Sequence, residues 1–260
     1  MITSLHNPRV QWVKALQKQS QRRQEEGVLV IEGVRLAEEA MLSGVDIQLA
    51  WFIQDVDTRG KQLLEQLRQR DAPLEEVSPA VLKAVSDTET PQGILLVVKQ
   101  PQLPLPSSLS LVFLPDQIRD PGNLGTMLRT AAAAGVELVV LPPASVDFTS
   151  PKVVRSAMGA HFTVPIRQMT WHEIETLAHH HALQVFLADV SQGLPYTQAD
   201  FQSPLMLIIG SEASGASPSA RTLATQSVFI PMPGKAESLN AAVAAGVLLF
   251  EIIRQRGGSR

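Results

Sequence analysis

The second half of the chain repeatedly sets a short, unbroken run of Val, Ile and Leu ahead of a helical stretch, and that pattern most constrains the fold. Leu109–Leu114, Leu138–Leu141, Gln184–Ala188, Leu205–Ile209 and Val228–Pro231 read as strands. Because they are continuous rather than alternating, they fit a parallel sheet covered on both faces. Helices are expected between them. One opens at Asp120-Pro121 and stops at Gly135, with Asp as N-cap, Pro in the first turn and Gly past the end. Others are expected over Pro151–Gly159, Trp171–His181 and from about Leu239 to Arg256.

The first half alternates more weakly. A basic helix over Pro8–Arg23 leads into a strand at Val28–Ile31, a helix at Val34–Ser43 and a strand at Leu49–Ile53. Helices over Gly60–Arg70 and Val77–Val85 and a strand at Ile94–Val98 follow. This is a small α/β layer structure. Between the halves, Lys99–Ser108 carries three prolines and no periodicity, the signature of an extended linker. The expected organisation is a domain over 1–98, a linker over 99–108 and a domain over 109–260, and a length of 260 residues suits two domains.

Composition excludes several chemistries. The cysteine count is zero, which removes disulfides, thiolate metal sites, cysteine-ligated clusters and any cysteine nucleophile. The longest apolar run, from Leu239 to Ile253, is interrupted by Asn240 and Glu251 and is too short to span a bilayer. The N-terminus lacks the basic and apolar regions of a secretory signal. The expectation is a soluble, cytoplasmic protein that does not contact membranes. A net charge of −3 does not advertise nucleic-acid binding, but residues 1–35 hold six basic residues (Arg9, Lys14, Lys18, Arg22, Arg23 and Arg35) against three acidic ones. A solvated helix face and a nucleic-acid contact are both open readings of that stretch.

Common nucleotide and hydrolase signatures are missing: no Gly-x-Gly-x-x-Gly, no P-loop, no zinc-protease helix and no nucleophile elbow. His179-His180-His181 does not suit a metal, because consecutive helical residues point about 100° apart. No metal is expected. Three polar, glycine-bearing turns remain, each after an apolar strand. The first is Asp120-Pro-Gly-Asn-Leu-Gly-Thr-Met-Leu-Arg129, where Gly122 and Gly125 open a helix start to close approach and Arg129 reads as a partly buried cation. The second is Leu207-Ile-Ile-Gly-Ser-Glu-Ala-Ser-Gly-Ala216, whose Glu212 needs either a helix end to cap or a cation to pair with. The third is Phe229-Ile-Pro-Met-Pro-Gly-Lys-Ala-Glu-Ser-Leu-Asn240, where Ser238 and Asn240 precede an Ala-rich helix and N-capping accounts for only one of them.

In this order and spacing the three turns resemble the three motifs of the SpoU/TrmH branch of the SPOUT RNA methyltransferases, over Leu109 to about Arg256. Lys152-Val-Val-Arg-Ser-Ala-Met-Gly159 resembles that family's middle stretch. Ser4-Leu-His-Asn-Pro, Ile31-Glu-Gly-Val and Thr90-Pro-Gln-Gly-Ile94 resemble landmarks of its L30e-like substrate-binding domain. The resemblance implies a parallel α/β sheet closed by a C-terminal trefoil knot, a smaller N-terminal α/β domain, and a homodimer whose interface uses the helices after Asp120 and Leu239. It implies S-adenosylmethionine as methyl donor, held by Leu187, Ala188, Gly210, Ile230, Met232, Ser238 and Leu239, with Asn240 helping to hold the loops.

The implied reaction is methylation of an RNA ribose 2′-hydroxyl, with Arg129 as the catalytic arginine, Asn123 as its positioning partner and Glu212 orienting either of them. An arginine is a poor base, so two roles fit Arg129, a base helped by an RNA phosphate or a stabiliser of the developing alkoxide, and the second is favoured. RNA contact is expected from Arg9, Lys14, Lys18, Arg22 and Arg23, with Arg35, Lys152 and Arg155 nearer the site. Ribosomal RNA is favoured over transfer RNA. A base-nitrogen methyltransferase of the same fold, a non-catalytic RNA-binding relative and a nucleotide-dependent oxidoreductase are the alternatives.

Overall fold

The computed structural model describes residues 1–190 and 192–257. The chain begins with α1 (Pro8–Lys18), α2 (Ser20–Glu26), β1 (Val28–Glu32), α3 (Val34–Leu42), β2 (Ile47–Phe52), α4 (Thr58–Gln69), β3 (Leu74–Glu76), α5 (Pro79–Val85) and β4 (Ile94–Lys99). It continues through β5 (Leu111–Pro115), α6 (Pro121–Ala133), β6 (Leu138–Leu141), α7 (Pro151–Ala157), β7 (Ile166–Gln168), α8 (Trp171–His180) and β8 (Gln184–Asp189). The remaining elements are β9 (Leu194–Pro195), β10 (Leu205–Ile209), α9 (Pro218–Leu223), β11 (Gln226–Phe229) and α10 (Ala241–Gln255). Two compact units result: Met1–Gln102 with Asp147–Phe162, and Leu103–Val146 with Thr163 onward.

The first unit is built on a four-stranded sheet in the order β1-β4-β2-β3. β4 runs antiparallel to both β1 and β2, while β3 pairs parallel with β2. Leu29 and Ile31 of β1 pack into one apolar cluster and Val28 and Val30 into another, so this strand is covered on both faces. Val154 and Phe162 join the first cluster, which is why the short segment around α7 belongs to this unit and not with its sequence neighbours.

The continuous basic helix expected over Pro8–Arg23 is instead two helices, broken at Gln19, whose backbone is extended at φ −111° and ψ 107°. α2 then turns Arg23 inward and ends on Gly27 in the left-handed region. The sequence pattern also missed β3, whose three residues are polar or half-buried.

The second unit has a seven-stranded sheet in the order β7-β6-β5-β10-β8-β11-β9, and every pairing is parallel. Val112, Leu114, Val140, Leu187, Met206 and Ile208 face one cluster with Ile174 and Ala178 of α8. α10 packs on α6 and β10. α6 starts as its sequence dictates: Asp120 caps it through a 2.8 Å bond from the Asn123 N–H, with Pro121 following. No helix among the described residues is long and apolar enough to cross a membrane.

Candidate functional site

The loops leaving the carboxyl ends of β8, β10 and β11 enclose a cavity of about 290 Å³ in the second unit. This is where parallel α/β sheets hold ligands, because the loops diverge there and leave a crevice. Gly210 starts the turn after β10, and a Cβ on it would stand 2.6 Å from the backbone of Gly215 and Ala216. Only glycine lets that turn fold back so closely. The return is locked by paired Ser211 and Gly215 backbone bonds of 2.9 and 2.8 Å. Beneath it, the fully buried Asp116 accepts the Ser217 N–H at 2.6 Å, and Ser217 caps α9.

Of the residues expected to hold a methyl donor, Ala188, Gly210, Ile230, Met232, Ser238 and Leu239 line this cavity. Leu187 does not: its side chain is buried in the cluster against α8. The strand's period of two turns it to the opposite face from that of its neighbour Ala188. Asn240 lies beside the cavity, and its Oδ1 caps α10 by accepting the N–H groups of Ala242 at 3.0 Å and Val243 at 3.2 Å. The cavity wall also carries Asp189, Glu237 and Arg221, which sequence reasoning did not single out. A carboxylate at the end of the apolar strand β8 was the available signal for Asp189, as was the acid following β5 for Asp116.

The first, second and third turns meet in a polar cluster. Glu212 Oε1 accepts the Ala241 N–H at 2.8 Å, the Asn123 Nδ2 at 3.2 Å and the Asn240 Nδ2. Asn240 Nδ2 also donates to Asn123 Oδ1 at 3.1 Å. Glu212 thus answers the need read from its sequence by capping a helix, and among the described residues no cation pairs with it. Arg129, two turns along α6, is exposed rather than partly buried, and its side chain has no hydrogen bond or ion pair with a described residue. Neither Glu212 nor Asn123 orients it. Helical geometry explains the difference: Arg129 sits outside the α6 stripe of Leu124, Met127, Leu128 and Ala131 that is buried.

The basic residues separate into distinct kinds. Arg23, expected on an RNA-contacting surface, is 3 % exposed. It is ion-paired with Asp147 and donates to Thr149 Oγ1 at 3.1 Å and to the Leu16 carbonyl at 2.5 Å. Burial raises the Asp147 carboxyl, but hydrogen bonds from Thr149 and Arg23 outweigh it and hold the group below its ordinary value. Arg9 pairs with Glu75, Arg22 with Glu26 and Arg155 with Asp87, the last at 3.1 Å. Lys18, Arg35 and Lys152 are exposed and Lys14 is half-buried. Lys152 and Arg155 lie on α7, in the first unit. The nearby His161 is buried with Nε2 2.8 Å from the Phe148 carbonyl, and burial pushes its imidazole down to about 4. Among the described residues no cluster of acidic or histidine side chains suits a metal.

Fold and site together define a two-unit α/β protein whose all-parallel sheet carries a ligand pocket at its strand ends, rimmed by an amide–carboxylate cluster. Residues 110–250 match the SpoU rRNA methylase family, and residues 7–96 match an MRM3-like substrate-binding domain. The chain is 35% identical to an uncharacterised tRNA/rRNA methyltransferase of Synechocystis sp., covering 98% of this chain and 94% of that one. It is 31% identical to the 23S rRNA (guanosine(2553)-2′-O)-methyltransferase RlmP of Bacillus subtilis, covering 96% and 98%. The crystal structure of the SpoU methyltransferase AviRb from Streptomyces viridochromogenes in complex with AdoMet superposes with a TM-score of 0.88 at 28% identity, over 98% of this chain and 100% of that one. The chain belongs to the SpoU rRNA methylase family.

Proposed function

We propose that this protein transfers a methyl group from S-adenosylmethionine to a ribose 2′-hydroxyl of ribosomal RNA. The observation that carries the reading is the junction of the Asn123–Glu212–Asn240 cluster with the pocket, since Glu212 belongs to both. The relatives named for ribose 2′-O-methylation of 23S rRNA supply the substrate class.

The pocket fits the donor. Ala188, Ile230, Met232 and Leu239 offer an apolar wall for a flat adenine, while Asp189, Glu212 and Glu237 bring negative charge to a ligand bearing sulfonium and ammonium groups. S-adenosylmethionine supplies a methyl group already activated on sulfur. The protein is then left with aligning the hydroxyl and stabilising charge on its oxygen while the hydroxyl proton passes to water or an RNA phosphate oxygen. Asn123 positions the RNA through an amide that Glu212 and Asn240 hold. Arg129, whose guanidinium has no hydrogen-bond or ion-pair partner among the described residues, presents it to the developing alkoxide or an RNA phosphate.

The same reading includes a homodimer, a trefoil knot in the second unit and a cytoplasmic site of action. Val243 and Phe250, 53% and 52% exposed, lie seven residues apart on α10 and so share one apolar stripe for a second copy. The return of α10 to β10 and α6 after β11 suits a knotted path. Arg9, Lys14, Lys18, Arg22, Arg35, Lys152 and Arg155 remain the RNA-contacting residues in this proposal; Arg23 does not.

Incubation with methyl-labelled donor and ribosomal RNA tests it. Label should enter the RNA and make the phosphodiester following the modified nucleotide resistant to alkali, since that cleavage needs a free 2′-hydroxyl. Label on a base, with alkali cleavage intact, would assign the enzyme to base methylation instead.

A further inference from the structure

We propose that Arg221 receives the carboxylate of the donor's amino-acid end and selects ligands that carry it; the inference rests on the methyl-donor reading above. Among the described residues lining the pocket, Asp189, Glu212 and Glu237 are acidic and Arg221 is the only cation. S-adenosylmethionine presents the converse set: sulfonium and ammonium cations, and a single carboxylate. Charge complementarity leaves that carboxylate one partner in the wall.

The geometry holds Arg221 ready for this. It projects from α9, whose start is fixed by the buried contact between Asp116 and the Ser217 N–H. Its Nη1 donates to Asp189 Oδ2 at 3.1 Å. Asp189 is itself anchored, because its Oδ1 accepts the Val190 N–H at 2.8 Å and the Gln192 N–H at 3.3 Å. On the other side Nη2 lies 3.4 Å from where a Cβ on Gly215 would stand, so the turn leaves just enough room for the guanidinium. The Arg221 side chain is nevertheless 49% exposed, against 9% for Asp189, and its bond to Asp189 is its only hydrogen bond among the described residues. The rest of a planar fork suited to a carboxylate is therefore free to meet a ligand. Asp189 acts as a positioning residue and Arg221 as a binding residue.

Calorimetric binding of S-adenosylmethionine and of its decarboxylated analogue to the full chain separates the possibilities. The wild type should favour the carboxylate-bearing ligand. Arg221→Ala should weaken S-adenosylmethionine by about 10- to 100-fold, the range for a hydrogen bond to a charged group, and change the decarboxylated analogue less than about twofold on the same scale. Arg221→Gln, which keeps the side-chain stem, should behave alike, with unliganded melting temperatures of both variants checking the fold. Equal weakening of both ligands would make Arg221 a brace for the turns and overturn the proposal, as would wild-type affinity in Arg221→Ala. A wild type that binds neither ligand would overturn the methyl-donor reading itself.

Discussion

The two units use the same building material and handle charge in opposite ways. Each has apolar strands covered on both faces, yet the first pairs its buried cation with a carboxylate, while the second, which also buries Asp116, sets an amide–carboxylate cluster at open strand ends. Arg23 meets Asp147 and Thr149 inside the first unit, tying the segment around α7 to α2. Asn123, Glu212 and Asn240 meet at a solvent-accessible rim in the second. A buried pair needs both partners because each desolvated charge depends on the other, whereas a rim cluster keeps some access to water and can exchange protein partners for a ligand. Charge in the first unit's interior holds the fold; charge at the second unit's rim is available for chemistry.

The largest expected effect on stability tests the first half of that contrast. Arg23→Ala leaves Asp147 unpaired and should cost about 3–5 kcal/mol in denaturant unfolding; a loss close to zero would return Arg23 to the surface. The pH dependence follows from Asp147, whose carboxyl is lowered in the folded state. Its stabilisation is present above the ordinary carboxylate value and is lost as pH falls through the lower folded one. The variant should therefore show a flatter acid limb than the wild type.

Gly210→Ala comes next. Its Cβ would meet backbone, which has no flexible end to yield, so the turn must open. Donor affinity should fall by about tenfold or more, with a stability loss of about 1–3 kcal/mol; unchanged donor binding would separate the turn from the pocket. Glu212→Ala removes the acceptor for the Ala241 N–H and for both amides, and should cost about 1 kcal/mol as a lost helix cap. Turnover should fall further than donor affinity, because Asn123 loses its hold. If both fell in proportion, Glu212 would be structural only.

The smallest stability effect sharpens the contrast from the other side. Arg9→Ala and Arg22→Ala break exposed pairs and should each change stability by less than about 1 kcal/mol. Together they should weaken RNA binding and lower its salt dependence. An unchanged salt slope would remove α1 and α2 from the RNA surface.

What was legible in the sequence follows the same division. The strands of the second unit could be read because burial on both faces demands continuous apolar runs, as in Leu205–Ile209. The N-cap at Asp120 was equally plain, since it rests on local backbone chemistry, whereas Ser238 and Asn240 stayed rival caps that only the start of α10 at Ala241 separates. Arg23 was misread because helical periodicity cannot foresee a break at Gln19 or a partner 124 residues away. Arg129 was misread for a related reason: apolar neighbours along a helix do not say which way one side chain points. Arg221 was missed because its contact with Asp189, 32 residues away, joins α9 to the end of β8, elements with no shared sequence signal, although the carboxylate ending an apolar strand was an available mark of Asp189.

The central claim is that the rim cluster and Arg129 serve methyl transfer while the pocket serves donor binding. Comparing Arg129→Ala with the wild type in single-turnover methylation of ribosomal RNA, alongside calorimetric donor binding, tests it most directly. The account predicts a loss in turnover of at least about 100-fold, with donor affinity unchanged. Turnover near the wild-type rate would contradict it.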